Sequence, residues 1–184
     1  MLLETERLII RKMKEEDKEY RDIIVDDSNE YNYYTADEEF KQLCRKVYWL
    51  EQDKEDIYNC WIFIKDTGEF AGHICLQRIW ENEPEIGIRI IEKHRNKGIG
   101  PEAVKMLCNW YCENNNISTL TLNIKKSNSH SIHMFEKLGA VRVGDKCALS
   151  ERTIAYLLET LSNTDEDELR EKTLFTYKVK MPIK

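Results

Sequence analysis

Glu85-Ile86-Gly87-Ile88-Arg89-Ile90-Ile91, followed by Arg95-Asn96-Lys97-Gly98-Ile99-Gly100, is the stretch whose reading decides the fold. An apolar run opens it and a basic loop with two glycines closes it. A helical pattern from Glu102 to Tyr111 comes next. The order is therefore strand, glycine loop, helix. Glycine tolerates backbone angles that other residues avoid. A helix start carries unpaired N–H groups and a partial positive charge. Arg95 and Lys97 add full charges. Such a loop suits an anion, most simply a phosphate or pyrophosphate. The same residues would also make an ordinary strand-to-helix turn with solvated charges, and the loop alone does not choose.

Spacing narrows the chemistry. A nucleotide-hydrolase loop needs four residues between its glycines and then Lys-Ser/Thr. Here one residue separates Gly98 from Gly100 and Pro101-Glu102 follow, which excludes it. A dinucleotide site wants Gly-x-Gly-x-x-Gly/Ala, and Gly98, Gly100 and Ala103 fit that string loosely. Its acidic ribose partner, about 20 residues on, would fall near Leu120 to Asn123, where there is none.

Outward from the loop, the pattern is that of a mixed α/β sheet in one domain. Arg7 to Met13 reads as a first strand at an edge. Tyr20, Ile23 and Ile24 have helical spacing, broken at Asp26-Asp27-Ser28-Asn29. Tyr31, Tyr33 and Tyr34 sit in the connection. A second helix is predicted from Asp37, with Phe40, Leu43, Cys44, Val47 and Leu50 on one face. Cys60 to Ile64 and Phe70 to Ile79 form a hairpin about the turn Asp66-Thr67-Gly68-Glu69. The helix after the glycine loop runs to about Asn114-Asn116. Ser118 to Ile124 alternates as a strand, Asn128 to Leu138 is a short helix closed by Gly139, and Val141 and Val143 make a further short strand. Leu149 to Leu161 looks helical, and Thr173 to Met181 is a last strand.

The chain has 184 residues, 41% hydrophobic and 34% charged, enough for a real core and too apolar for a disordered chain. A net charge of −6 argues against nucleic acid as the main partner and favours cationic small molecules or basic peptides. No apolar run approaches the roughly 20 residues that span a bilayer, and Met1 to Arg7 does not read as a signal peptide. The expectation is a cytoplasmic protein with no membrane partner. Six scattered cysteines form no Cys-x-x-Cys pair. They read as free, mostly buried thiols, with no metal site expected.

Arg95-x-x-Gly98-x-Gly100 resembles the Gln/Arg-x-x-Gly-x-Gly/Ala signature of the GNAT N-acetyltransferases. Asn128-Ser129-His130-Ser131-Ile132-His133-Met134-Phe135-Glu136-Lys137-Leu138-Gly139-Ala140 resembles a second segment of that family. The opening Thr5-Glu6-Arg7-Leu8-Ile9-Ile10-Arg11 is similar to the first strand of the branch that acetylates ribosomal-protein N-termini. The resemblance implies a GNAT fold, with splayed central strands and helices on both faces. It implies acetyl-CoA as co-substrate and a primary amine as acceptor. Pantetheine would pair with the backbone at Ile88 and Ile90, against Ser118 to Ile124 as the splayed neighbour. The pyrophosphate would lie against N–H groups from Asn96 through Lys97, Gly98 and Ile99 to Gly100, beside Arg95. Asn128 would reach the cofactor, with Ser131 as a second contact, while Asn128 also suits a helix N-cap.

The implied reaction is direct attack of an amine on the thioester. Glu85 is the candidate general base, and His73 is a rival on the hairpin strand. Either residue also has a plain structural reading, as a solvated strand-end carboxylate or a packing histidine. The chain departs from the family pattern where a tyrosine acid is usual: Phe135 has no proton to give. Either a Cys or Tyr elsewhere protonates the thiolate, water does, or no acid is needed, since a thiolate whose pKa is about 8.5 or somewhat above leaves without much help near neutral pH. Pro101 replaces a phosphate-binding Thr or Ser and lacks an N–H, and Ala140 replaces a phenylalanine plug. A helical insertion at about 145–172 is expected to pack beside the acceptor site, to form a homodimer face, or to act as a stabilising subdomain. The alternative to an enzyme is a GNAT fold that holds a CoA thioester as a sensor or interaction module without turnover.

Overall fold

β-Branched and aromatic residues dominate Ile57–Ile64, near the centre of the sheet, as suits a pleated and covered surface. The computed structural model describes residues 1–27, 54–147 and 173–184, with the single positions 41, 42, 45, 46, 155 and 158. Among these, the order along the chain is β1 (Leu2–Glu4), β2 (Leu8–Lys12), α1 (Lys18–Asp26), β3 (Ile57–Ile64), β4 (Phe70–Gln77) and β5 (Glu85–Ile90). A 3-10 turn at Glu92–His94 leads to α2 (Ile99–Asn115), β6 (Thr119–Lys125), α3 (Ser129–Lys137), β7 (Val141–Cys147) and β8 (Thr173–Lys180). The expected helix from Asp37, the tyrosines Tyr31, Tyr33 and Tyr34, and the expected helix from Leu149 lie outside the described residues, single positions aside.

The described strands make one sheet in the order β1-β2-β3-β4-β5-β6-β8-β7. Neighbours are antiparallel except β5 and β6. Alternation along β3 sends Cys60 and Ile62 to one face and Trp61 and Phe63 to the other. The first face is covered by α2 and α3, through Ala103, Val104, Leu107, Cys108 and Phe135. On the second face, Ile24 and Val25 of α1 pack on Trp61, Phe63 and Phe70. Helices thus lie on both faces, as the resemblance implied.

Two expectations about strand limits change. Leu2–Glu4 pairs antiparallel with β2, so the edge belongs to β1 and the Arg7 strand is second. The strand opened by Val141 and Val143 continues to Cys147, opposite Thr173 of β8. The strand thus takes in residues 145–147 of the expected insertion at about 145–172, and the rest of that range lies outside the described residues, single positions aside. Arg142, Asp145 and Lys146 hide this strand in the sequence because its backbone pairing, not side-chain burial, maintains it.

The sheet opens at its one parallel junction. β4 and β5 share six register positions and β6 and β8 share seven, whereas β5 and β6 share only Glu85↔Thr121. Beyond that point the β5 edge toward Ile90 has no strand partner among the described residues, and the two strands part in a wedge. An edge of unpaired N–H and C=O groups is a template for an extended ligand.

Candidate functional site

The wedge points to the glycine loop. Asn96 (φ 59°) and Gly98 (φ 76°) both adopt the left-handed conformation. The two turn the chain from the Glu92–His94 turn into α2, with Gly98 as N-cap. Ile99 and Gly100 are buried, so the loop is seated on the core rather than projecting from it. Among the described residues, no backbone hydrogen bond is donated by the N–H of Asn96, Lys97, Gly98, Ile99 or Gly100. These groups and the α2 dipole form an anion-attracting surface. Pro101 is the third helical residue and interrupts that run of donors.

The two sequence motifs meet here. A Cβ on Gly100 would lie 3.0 Å from Met134 Sδ and 3.9 Å from Ile90 Cγ1, so α2, α3 and β5 converge at this glycine. Ile90 pairs with Gly72 and Ile88 with Ile74 of β4. Asn128 caps α3, its Oδ1 accepting the Ser131 N–H at 3.1 Å. Both residues therefore begin the helix that abuts the loop.

The two loop cations have different roles. Arg95 Nε donates to the Ile90 carbonyl at 2.9 Å, and its guanidinium pairs with Asp27 at the end of α1. Asp27 also accepts the Glu92 N–H at 2.8 Å. Arg95 thus ties the turn to α1. Lys97 is exposed and has no ion pair among the described residues, which leaves its ammonium as the loop's available cation.

A brace under the loop escaped the sequence reading. Arg7 donates to the Lys97 carbonyl at 3.0 Å and to Glu102 Oε2 at 2.7 Å. Thr5 donates to the other oxygen of Glu102 and accepts the Leu8 N–H at 2.8 Å. Burial acts to raise the Glu102 pKa, but the hydrogen bonds from Thr5 and Arg7 outweigh it and hold the carboxylate low. A carboxylate in the first turn of α2 also complements the helix dipole. Arg7 and Glu102 are 95 positions apart, and no local pattern would have joined them.

Glu85 lies where β5 and β6 last pair, at the apex of the wedge. Arg78 Nη2 donates to its carboxylate at 2.8 Å and also approaches Thr121 Oγ1 at 3.4 Å. His73, its rival, is 3% exposed and bonded to Asn59 Oδ1 at 2.8 Å. Burial pushes its pKa down to about 3, with help from Arg89. It is a neutral packing residue. Phe135 is buried in the core and supplies no acid. Tyr177 is buried and donates its hydroxyl to Glu136 at 3.2 Å. The cysteines described are free thiols, and burial pushes Cys60 up to about 12 and Cys75 and Cys112 to about 11. Cys44 lies outside the described residues.

A sheet split at one parallel junction, with a left-handed glycine loop and helix start at its open end, is the arrangement that the resemblance to the GNAT family implied. The chain matches the acetyltransferase (GNAT) domain family over residues 7–141, and it belongs to that family. It is similar to the N-acetyltransferase 9-like protein of Caenorhabditis briggsae, 37% identical over 85 residues, 45% of this chain and 43% of that protein. This match spans less than half the length of that curated relative. The acetyltransferase (GNAT family) from Bacillus anthracis superposes with a TM-score of 0.68 at 18% identity, over 98% of both chains. A candidate ribosomal-protein-serine acetyltransferase from Vibrio cholerae gives 0.65 at 15%, over 98% of this chain and 97% of that one. A chimeric spermidine N-acetyltransferase from Vibrio cholerae gives 0.66 at 14%, over 94% and 95%. Among the described residues, no helix is long and apolar enough to cross a membrane.

Proposed function

We propose that the chain moves an acetyl group from acetyl-CoA to a primary amine by direct attack on the thioester. The observation that carries this reading is the single-position junction of β5 and β6, open toward a loop of unpaired N–H groups. In the reading, pantetheine lies along the β5 edge at Ile88 and Ile90. The pyrophosphate lies on the N–H groups of Asn96 to Gly100 beside Lys97. Asn128 and Ser131 border it from α3. Holding thioester and amine together removes an entropic barrier, and backbone N–H groups polarise the carbonyl as charge develops on it. Glu85 takes the ammonium proton, and the thiolate leaves unassisted because Phe135 cannot protonate it.

The acceptor is an amine at a protein N-terminus or on a small molecule. The opening Thr5 to Arg11 strand and the likeness to a candidate ribosomal-protein-serine acetyltransferase support the first. The net charge of −6 suits either.

Thermal melting with acetyl-CoA, beside NAD and ATP, tests the cofactor. A ligand binding only the folded state at a hundred times its dissociation constant adds about 2.7 kcal/mol. For a chain of this size that is about 5–10 °C in Tm. A shift with acetyl-CoA alone is expected; none would overturn the assignment. Turnover is read as free thiol. Thiol released only when an amine is added supports transfer, and cofactor binding without amine-dependent thiol supports the non-catalytic module that Phe135 favours.

Arg7→Ala is expected to raise the KM for acetyl-CoA about three- to fivefold with kcat little changed. The brace shapes the loop, and its exposed arginine limits the effect to the scale of a surface ion pair. An equal fall in kcat would mean that Arg7 acts on the chemistry instead.

A further inference from the structure

A second hollow lies away from the wedge, at the opposite end of α2. It has a volume of about 590 Å³ and is bordered by Tyr58, Trp80, Glu81, Trp110, Asn114 and Asn115 among others. Asn114 is about 22 Å along the helix axis from Ile99, at 1.5 Å per residue. The hollow therefore belongs to neither the glycine loop nor the β5 edge.

Its chemistry is one-sided. Tyr58 packs against Trp110 and Tyr111 with ring centroids 6.1 and 5.6 Å apart. Trp80, 76% exposed, forms the outer wall. Among the described residues, no lysine or arginine lines the space, and Glu81 is its one charged residue. Arg78 reaches Glu81 only at 3.8 Å, because its other end is held by Glu85 at 2.8 Å. Asn114 and Asn115 donate their side-chain N–H to the carbonyls of Trp110 and Tyr111 at 2.7 and 2.8 Å. Each uses one of its two amide N–H groups in this way, and the amide oxygens remain as acceptors. The C-terminal end of α2 carries no basic residue in its last turn, so the negative end of its dipole is uncompensated there.

Aromatic faces, a carboxylate, amide oxygens and a helix C-terminus all present negative potential. An anion is repelled by this set. One carboxylate is too few for a hard metal ion. A purely apolar ligand would leave the acceptors without partners. Tyr58 already takes a cation: Lys12 Nζ lies 5.2 Å from its ring centroid. We propose that this hollow binds an alkylated ammonium head group, with the methylated cation against Trp80 and Trp110 and a donor group on the asparagine oxygens. Aromatic walls recognise alkylammonium ions through their ring quadrupoles, and the volume suits a small ligand.

Choline is the probe, titrated at constant ionic strength against the full chain while the tryptophan indole N–H signals are followed by NMR. Its neutral isostere, with carbon in place of nitrogen, is the control for shape. The expected result is a saturable shift at Trp80 and Trp110, with the isostere about tenfold weaker or worse. Trp80→Ala, at an exposed position that should not disturb folding, is expected to weaken choline about tenfold and to leave the acetyl-CoA melting shift unchanged. Glu81→Gln should weaken choline in the same direction. Equal affinity for choline and its isostere, no saturable shift, or undiminished choline binding in Trp80→Ala would each overturn the site. None of these outcomes depends on the acetyl-transfer reading.

Discussion

Glu85→Gln is expected to lower kcat about a hundredfold, or about 2.7 kcal/mol of transition-state stabilisation, with the KM for acetyl-CoA within about twofold. The carboxylate sits at the apex where β5 and β6 last pair, the point at which an amine entering the wedge would meet a thioester lying along β5. Arg78 fixes its direction at 2.8 Å. Glutamine keeps the side chain's length and one acceptor oxygen for Arg78, so the fold should tolerate it. What it loses is the capacity to accept a proton. The expected signature is therefore a fall in kcat with an unchanged acetyl-CoA melting shift. If kcat is unchanged, the ammonium loses its proton to solvent and Glu85 serves only the Arg78 ion pair. His73 does not fill the vacancy, since it is buried, bonded to Asn59 and pushed down to about 3.

Local order in this chain was legible wherever side-chain pattern and backbone state coincide. The hairpin of β3 and β4, the helix after Gly100 and the strand from Thr119 each carry their own periodicity or turn residues. The pairing of two glycines with a helix start exposed the anion loop, because a left-handed N-cap leaves few alternatives to Gly98. The split between β5 and β6 was a different matter. Nothing in the alternation of Ser118 to Ile124 marks it, and it came from the resemblance alone. Contacts between distant segments were equally silent. Arg95 looked like a phosphate ligand, yet its partner Asp27 lies 68 positions upstream. Arg7 looked like a strand residue and proved to support the loop. The strand β1 is too short at Leu2–Glu4 to show a period, and β7 is too charged. Each gap has one cause: spacing reports which face a residue takes, not which distant element arrives there.

Asp17→Ala is expected to cost about 3–5 kcal/mol of stability at pH 7, read by urea or guanidinium unfolding. Asp17 is 6% exposed and takes both terminal nitrogens of Arg11 at 2.7 Å. It also accepts the Lys14 N–H at 2.8 Å and the buried Trp61 Nε1–H at 2.9 Å. Arg11 stacks in turn on Phe63, 5.0 Å from the ring centroid. One carboxylate thus joins β2, the start of α1 and the core tryptophan of β3. Alanine leaves a half-buried guanidinium and a buried indole N–H without this partner, the costly way to break such a network. Arg11's hydrogen bonds, aided by Lys14 and Trp61, hold the Asp17 pKa down to about 2 against the opposing effect of burial. A folded-state pKa below the unfolded value of 3.8 adds stability above pH 4 that is lost as pH falls toward 2. That contribution is about 2 kcal/mol. The stability gap between wild type and Asp17→Ala should therefore narrow by roughly that amount between pH 7 and pH 2. A gap that stays constant over this range would mean that the carboxylate acts only through its shape. In that case Asp17→Asn, which keeps the shape and one acceptor, should restore nearly all of the loss.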